Sequence, residues 1–259
     1  MYHSIFIGSK NTWDDWHLIP STRPVFVQPE QKIKTVDIPG GNGVLDLSQA
    51  LTGYPIYNNR EGDLEFNVVN EVTDPWFRPW YDLYSEIANY LSGKRFRIVL
   101  EDDQEYYYEG AMTLKEWKSE KSWSKIQMHY NLDPFKWYGR TTTEDWNWDP
   151  FNFFTGLITI NDYRNIPISF RTTPIRIEED ELGKAPICPT FTVATSDNSG
   201  AVLEFINPAQ SVHKFIDLPE GTSQNADVVF TGTYVLLHIT TRSMETTGTV
   251  SIDFRQGRL

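Results

Sequence analysis

The chain of 259 residues has a single cysteine, Cys188, which excludes an internal disulfide framework and any multi-thiolate metal site. It has no run of about 18 apolar residues, the length a helix needs to cross a bilayer. It also lacks a positive surplus. With 35 acidic and 23 basic side chains the formal charge is −12, which argues against nucleic acid as the main partner. The opening stretch MYHSIFIGSKNTWDDW has no basic region followed by an apolar one, so no secretory signal is expected. At 39% hydrophobic and 22% charged residues, disordered and fibrous classes are excluded. The length suits one large domain or two of ordinary size.

A further absence is regional. All nine tryptophans lie between Trp13 and Trp148, and only Tyr163 and Tyr234 among the tyrosines follow residue 140. Beyond that point the chain is rich in Thr, Ile, Val and Asn. A compositional shift centred on RTTTEDWNWDP (140 to 150) predicts a domain boundary there, giving domains 1–140 and 141–259. Acidic residues exceed basic ones on both sides of it, so neither half offers a basic face.

Through most of the first half the apolar residues recur with the period of strands. Ile5 and Ile7 alternate with polar neighbours before a GSKN turn, and Trp13, Trp16, Leu18 and Ile19 follow, ending at Pro20. Val25 and Val27, then Ile33, Val36 and Ile38, read as half-buried strands. They stop at Pro39-Gly40-Gly41-Asn42-Gly43, where three glycines predict positive φ in a tight loop. No lysine follows at P-loop spacing and no helical pattern begins, so a structural turn is expected rather than a phosphate cradle. Leu64, Phe66 and Val68 alternate with Glu65 and Asn67.

One segment has helical period. Trp80, Leu83, Tyr84, Ile87 and Leu91 recur at three and four, with Asp74 and Pro75 placed as N-cap and first turn and Gly93 as C-terminal cap. Phe96, Ile98 and Leu100 then form a strand, Glu101-Asp102-Asp103 a turn, and Tyr106-Tyr107-Tyr108 the start of a strand reaching Leu114 and Trp117. Polar KSEKS suits a hairpin loop. Ile126, Met128, Tyr130 and Leu132 alternate strictly with Gln127, His129 and Asn131 until Asp133-Pro134, because proline cannot continue a ladder.

In the second half Ile158, Ile160, Ile166, Ile168, Phe170, Ile175 and Ile177 suggest strands. They are followed by the acidic loop Glu178-Glu179-Asp180-Glu181 and by further short strands around Phe191, Val202 to Ile206, Phe215, Val228 to Phe230, Tyr234 to Ile239 and Val250 to Phe254. Turn signals such as SDNSG (196 to 200) separate them, and the spacing predicts an antiparallel sandwich. The Tyr234 to Ile239 strand is apolar at almost every position, which suits a central place. The fold class expected is mainly β: an antiparallel domain with one α-helix, then a β-sandwich.

The residues offer little chemistry. No two of His3, His17, His129, His213 and His238 stand at metal-ligand spacing, and Cys188 has no partner nearby. There is no G-x-S-x-G elbow. Glu101, Asp102 and Asp103, and the set Glu178 to Glu181, are the candidate carboxylates for sugar hydrolysis; solvated charge beside strands is the reading preferred. Either set offers oxygen ligands to calcium, without the alternating spacing of a dedicated loop. No catalytic, cofactor-binding or metal residue is therefore assigned, no cofactor is expected, and an enzyme is not expected.

Four stretches carry a family resemblance: IGSKNTWDDWHLIP (7 to 20), KIKTVDIPGGNGVLDLSQALTG (32 to 53), GKRFRIVLEDDQEYYYEG (93 to 110) after the helix, and NLDPFKWY (131 to 138). In this order and spacing the first half resembles the distal tail proteins of long-tailed phages of Gram-positive bacteria. The second half resembles that family more loosely, through LPEGT (218 to 222) and SIDFRQGRL (251 to 259). The resemblance implies a hexameric ring, formed by the N-terminal domain, that joins the tail tube protein to the tail-associated tail-tip protein and to receptor-binding proteins. It implies a galectin-like C-terminal sandwich, in a chain too short to hold an inserted carbohydrate-binding module beside two domains. It implies a baseplate component of the virion, made in the bacterial cytoplasm, with no nucleic-acid or membrane partner. The aromatic excess suits the anchors of such a ring or the filling of thin β layers. Two other classes stay open on the residues: a carbohydrate-binding module contacting the host cell wall, and a glycoside hydrolase.

Overall fold

A computed structural model describes residues 2–69, 75, 77–119, 124–144 and 163–259. By contact density the chain divides into two compact units. The first comprises Met1–Ser48, Pro55–Gly139 and Leu259, the second Gln49–Tyr54 and Arg140–Arg258.

The first unit is built on one antiparallel sheet. Its strands in chain order are β1 (Ile5–Ile7), β2 (Lys10–Asn11), β3 (Leu18–Pro20), β4 (Thr35–Asp37), β5 (Val44–Asp46) and β6 (Arg60–Val68). Helix α1 (Trp80–Leu91) follows, then β7 (Phe96–Leu100), β8 (Asp103–Ser119), β9 (Ser124–Leu132) and β10 (Lys136–Tyr138). The sheet order is β2-β1-β7-β8-β9-β6-β3, with β10 also paired to β8, while β4 and β5 form a separate two-stranded ladder. Glu101-Asp102 turns β7 into β8 as the sequence predicts, and the β8/β9 register runs to Ser119 opposite Ser124. The tip of that hairpin, with Trp123, lies outside the described residues.

Strict alternation made β9 legible, and the strand places Ile126, Met128, Tyr130 and Leu132 at 0–1% exposure. Helix α1 buries Leu83, Ile87 and Leu91 on the same core. Full burial of such side chains contributes about 1.5–3 kcal/mol each. The helix starts later than its sequence signals suggest. Pro75 lies in a turn rather than in the first helical turn, and Asp74 and Trp76 lie outside the described residues. Pro79 sets the boundary, standing at the N-cap with extended backbone (ψ 137°) and no side-chain cap. A proline disfavours helical geometry at the residue before it, so Arg78 cannot belong to α1. At the other end Gly93 has φ +67°, the left-handed conformation expected of a C-terminal glycine.

The second unit holds two four-stranded antiparallel sheets. Its strands are β11 (Ile166–Ile168), β12 (Ile175–Glu178), β13 (Thr190–Thr195), β14 (Ala201–Asn207), β15 (Val212–Leu218), β16 (Gly221–Gln224), β17 (Tyr234–Thr241) and β18 (Gly248–Asp253). One sheet runs β11-β18-β13-β16, the other β12-β17-β14-β15. Phe191, Leu203, Phe205, Leu237 and Ile252, all at 0–1% exposure, belong to the apolar core of this sandwich. Strand β17 is central, between β12 and β14, as its apolar sequence suggests. It is fully buried on one face and half-buried on the other. Val228 and Phe230 are buried without forming a strand; Phe230 makes one isolated bridge to Ile187. Phe170 lies beyond β11 and is exposed. Ile158 and Ile160 lie outside the described residues.

The acidic loop expected at 178–181 is a short helix instead, α2 (Glu179–Leu182). Glu178 caps it, and Glu181 reaches back to the backbone N–H of Glu178, a reciprocal box that satisfies two helix-end donors.

Candidate interaction surface

Alternation over Ile33, Val36 and Ile38 predicts half-buried strands. The structure leaves them bare. Every residue from 30 to 47 is exposed, and β4 and β5 form a hairpin arm that no described residue of its own unit covers. Eight of the seventeen exposed large apolar side chains among the described residues lie between Val25 and Leu47. The alternation is real, but the surface that would bury it is not supplied by the first unit.

The arm is well specified locally. Val36 pairs with Leu45, flanked by Thr35 with Asp46 and Asp37 with Val44. The Leu47 N–H donates to the Lys34 carbonyl at 2.7 Å and extends the ladder. Side chains alternate along a strand, so Val36, Ile38, Leu45 and Leu47 share one face. At the tip Gly40 (φ +76°) and Gly43 (φ +82°) take the left-handed backbone that the glycine-rich run predicts. At the base Asn58 N–H donates to Glu30 and Lys32 N–H to Ile56, both at 2.8 Å.

Two-stranded hairpins are marginal in water, and both outer edges of this one carry unpaired backbone groups. An apolar face on such a ladder gains from a partner in area and in hydrogen bonds alike. The tryptophans behave differently. Of those described, Trp16 is 1% exposed, and none of the five is among the exposed side chains. Trp80 lies 4.9 Å from the Trp117 ring inside a half-buried aromatic group. Among the described residues the exposed apolar side chains of the first unit are thus mostly aliphatic and lie mostly between Val25 and Leu47, in the arm and the segment leading into it.

The candidate carboxylates are not brought into a pair. Glu101 accepts from the Ser4 backbone N–H (2.7 Å) and hydroxyl (3.1 Å). Asp102 sits between His3 and Arg23, each at 2.8 Å. Asp103 accepts from Lys136 at 2.6 Å. Burial pushes the Asp102 carboxyl up, and the bonds from His3 and Arg23 outweigh it, leaving the group below its ordinary value. These acids tie the N-terminal segment and β10 to the β7–β8 turn. In the second unit Glu178 pairs with Arg176, Glu179 with Lys184, and Glu181 accepts from Tyr163 at 2.7 Å.

His129 is half-exposed and 2.9 Å from Asp63. His213 and His238 both face Glu204, at 2.8 and 3.1 Å. They hold that carboxyl below the ordinary glutamate range, His238 most strongly. Cys188 Sγ donates to the Asn225 carbonyl, and burial raises its pKa. Among the described residues no group of three or more His, Cys, Asp or Glu side chains is placed to hold a metal ion, and no helix is long and apolar enough to cross a membrane.

Sequence reasoning missed the arm's exposure, although its hairpin signal was present: two alternating runs around a Pro-Gly-Gly-Asn-Gly turn. It missed Arg60 entirely, since a lone arginine opening a strand carries no pattern.

Together these features describe a mainly β chain in two units, with an apolar arm on the first and no assembled catalytic cluster among the described residues. A fold of this kind has been solved for a phage tail hub protein. The chain is similar over its length to the crystal structure of SPP1 Dit (gp 19.1), described as a paradigm of the hub adsorption apparatus in phages infecting Gram-positive bacteria. The TM-score is 0.56 at 14% identity, over 99% of each chain. No protein-family model and no curated protein sequence matches the chain.

Proposed function

We propose that this chain is a structural component of the tail tip of a long-tailed phage, forming a hexameric hub ring in the baseplate. Residues 1–140 build the ring. Residues 141–259 form a galectin-like sandwich. The ring joins the tail tube protein to the tail-associated tail-tip protein and to receptor-binding proteins. The protein is made in the bacterial cytoplasm and assembled into the virion, and it acts without catalysis.

The observation that carries this reading is the unpartnered apolar arm. A cyclic head-to-tail interface needs two different complementary patches on each subunit. The face bearing Val36, Ile38, Leu45 and Leu47 supplies one, and a neighbouring copy supplies the other. The hub-protein fold supports the same reading. Native mass spectrometry of the purified full chain is expected to give six copies, and electron microscopy a ring. A strict monomer at high concentration, together with an intact tail whose tip lacks the chain, overturns it.

A second reading has one observation in its favour. On the outer face of the β12-β17-β14-β15 sheet Phe215 is 70% exposed, with the His213 ring 5.3 Å away and Glu204 paired to that histidine. An open ring beside a carboxylate and an imidazole is chemistry suited to a cell-wall saccharide. Glycan-array binding by the full chain that is lost in Phe215→Ala supports this reading, and an array without binding removes it.

A further inference from the structure

The extended segment leading into the arm is held by side chains rather than by strand pairing, and one of them is an unusual choice. Arg60, the first residue of β6, is 4% exposed. Its Nη1 donates to the Val27 carbonyl and its Nε to the Pro134 carbonyl, both at 2.9 Å. Its guanidinium lies 5.4 Å from the Tyr108 ring centre. Among the described residues no carboxylate pairs with it, and Nη2 is buried without a hydrogen-bond partner. Taking a guanidinium out of water costs several kcal/mol, and a well-packed apolar residue of similar volume is commonly as stable or more so. Core stability therefore does not explain the arginine.

Its contacts do. Val27 lies outside any strand, so its carbonyl has no ladder partner and takes a side-chain donor instead. Arg60 supplies that donor, and the Tyr130 hydroxyl takes the other backbone group, accepting from the Val27 N–H at 3.0 Å. Phe26, between Tyr108 and Tyr130 at 4.8 and 4.9 Å, fixes the neighbouring residue. Gly62 makes room, because a Cβ there would come within 2.4 Å of the Tyr130 hydroxyl. Val27 is thus gripped by both backbone groups. Three residues further on, the chain pairs with residues 56–58 and runs out as the arm.

We infer that Arg60 is a positioning residue for assembly: with Tyr130 it clamps the backbone of Val27 onto the sheet, and so fixes the root and aim of the β4–β5 arm before a second copy of the chain receives it. The inference rests on the self-assembly reading for its consequence, though not for the clamp itself.

The test uses the full chain with Arg60→Met, which keeps the stem and removes both carbonyl donors, and with Arg60→Lys, which keeps a donor. Hydrogen exchange by mass spectrometry should show residues 24–34 exchanging at least about tenfold faster in Arg60→Met, with α1 and β9 unchanged and Arg60→Lys intermediate. The concentration at half-assembly, measured well below the melting temperature, should rise about tenfold, equivalent to about 1.4 kcal/mol. Should Arg60→Met fail to fold, Tyr130→Phe removes only the hydroxyl that holds the Val27 amide, and a smaller effect in the same direction is expected. Unchanged exchange at 24–34, or faster exchange spread evenly over the unit, overturns the clamp. A wild-type chain that stays monomeric overturns the ring reading instead, and the exchange pattern alone then decides the clamp.

Discussion

Val36 faces Leu45 across the β4–β5 ladder, and the two are 44% and 48% exposed. A cross-strand apolar pair normally stabilises the sheet that covers it. Here no described residue of its own unit covers the pair, and in the proposed assembly a neighbouring copy does. The double substitution Val36→Glu, Leu45→Lys places opposite charges across the ladder and breaks the apolar face. Because both positions are already exposed, unfolding free energy should change by no more than about 0.5 kcal/mol. Assembly should be lost, as read by native mass spectrometry and light scattering. Assembly at wild-type concentrations would show that the proposed assembly is held by another surface.

Gly110 gives the opposite kind of test, inside the core. It is buried in β8 between Phe96 of β7 and Leu132 of β9. An added Cβ would stand 2.3 Å from the Asn131 carbonyl oxygen and 2.6 Å from Leu132 Cα. Both obstacles are backbone, which cannot swing aside as a flexible side chain can. Gly110→Ala should therefore destabilise the first unit by about 2 kcal/mol or more, seen as a lower urea midpoint with the slope unchanged. A shift within error would mean that β8 and β9 separate here at little cost.

The contrast between these two sites shows what a sequence can reveal. β9 was readable because alternation and burial agree: Ile126, Met128, Tyr130 and Leu132 all enter the core. The same alternation over Ile33, Val36 and Ile38 pointed to burial that the first unit does not provide, because a periodicity states that a face needs covering without saying what covers it. The apolar stripe locates helix α1 but not its first residue, since Asp74-Pro75 is as good a start signal as any and only the backbone at Pro79 settles the boundary. The acids at 178–181 read as a loop because a four-residue helix has no room to display a period. Arg60 was illegible for a different reason. Its role depends on Val27 and Pro134, which are distant in sequence and offer only carbonyl groups.

Phe215 lies opposite Glu204 in the β14–β15 ladder, one residue from Lys214, which reaches Asp227 at 2.7 Å. At 70% exposure its ring contributes little to the sandwich core, so Phe215→Ala should leave the melting temperature within about 2 °C. If the outer face carries a saccharide, the same change should abolish retention of the full chain on cell-wall material. Unchanged retention would place any binding elsewhere on the molecule.

Asp197, in the turn between β13 and β14, accepts from the Thr246 hydroxyl at 2.7 Å and from the Ser199 N–H at 3.1 Å. The Thr246 bond is the main reason its pKa falls from 3.8 to about 2. A carboxyl depressed in the folded state contributes stability that is fully present above its unfolded pKa and is lost as the pH falls through the folded one. The contribution is therefore complete at neutral pH and disappears between about 4 and 2. Thr246→Val removes the first donor, so the Asp197 titration, followed by carbon NMR at Cγ, should move up towards 3.8. The stability gap between wild type and variant should be widest near neutral pH and narrow as acid protonates the carboxyl in both states. A gap independent of pH would show that Thr246, 4% exposed, acts by packing and not through Asp197.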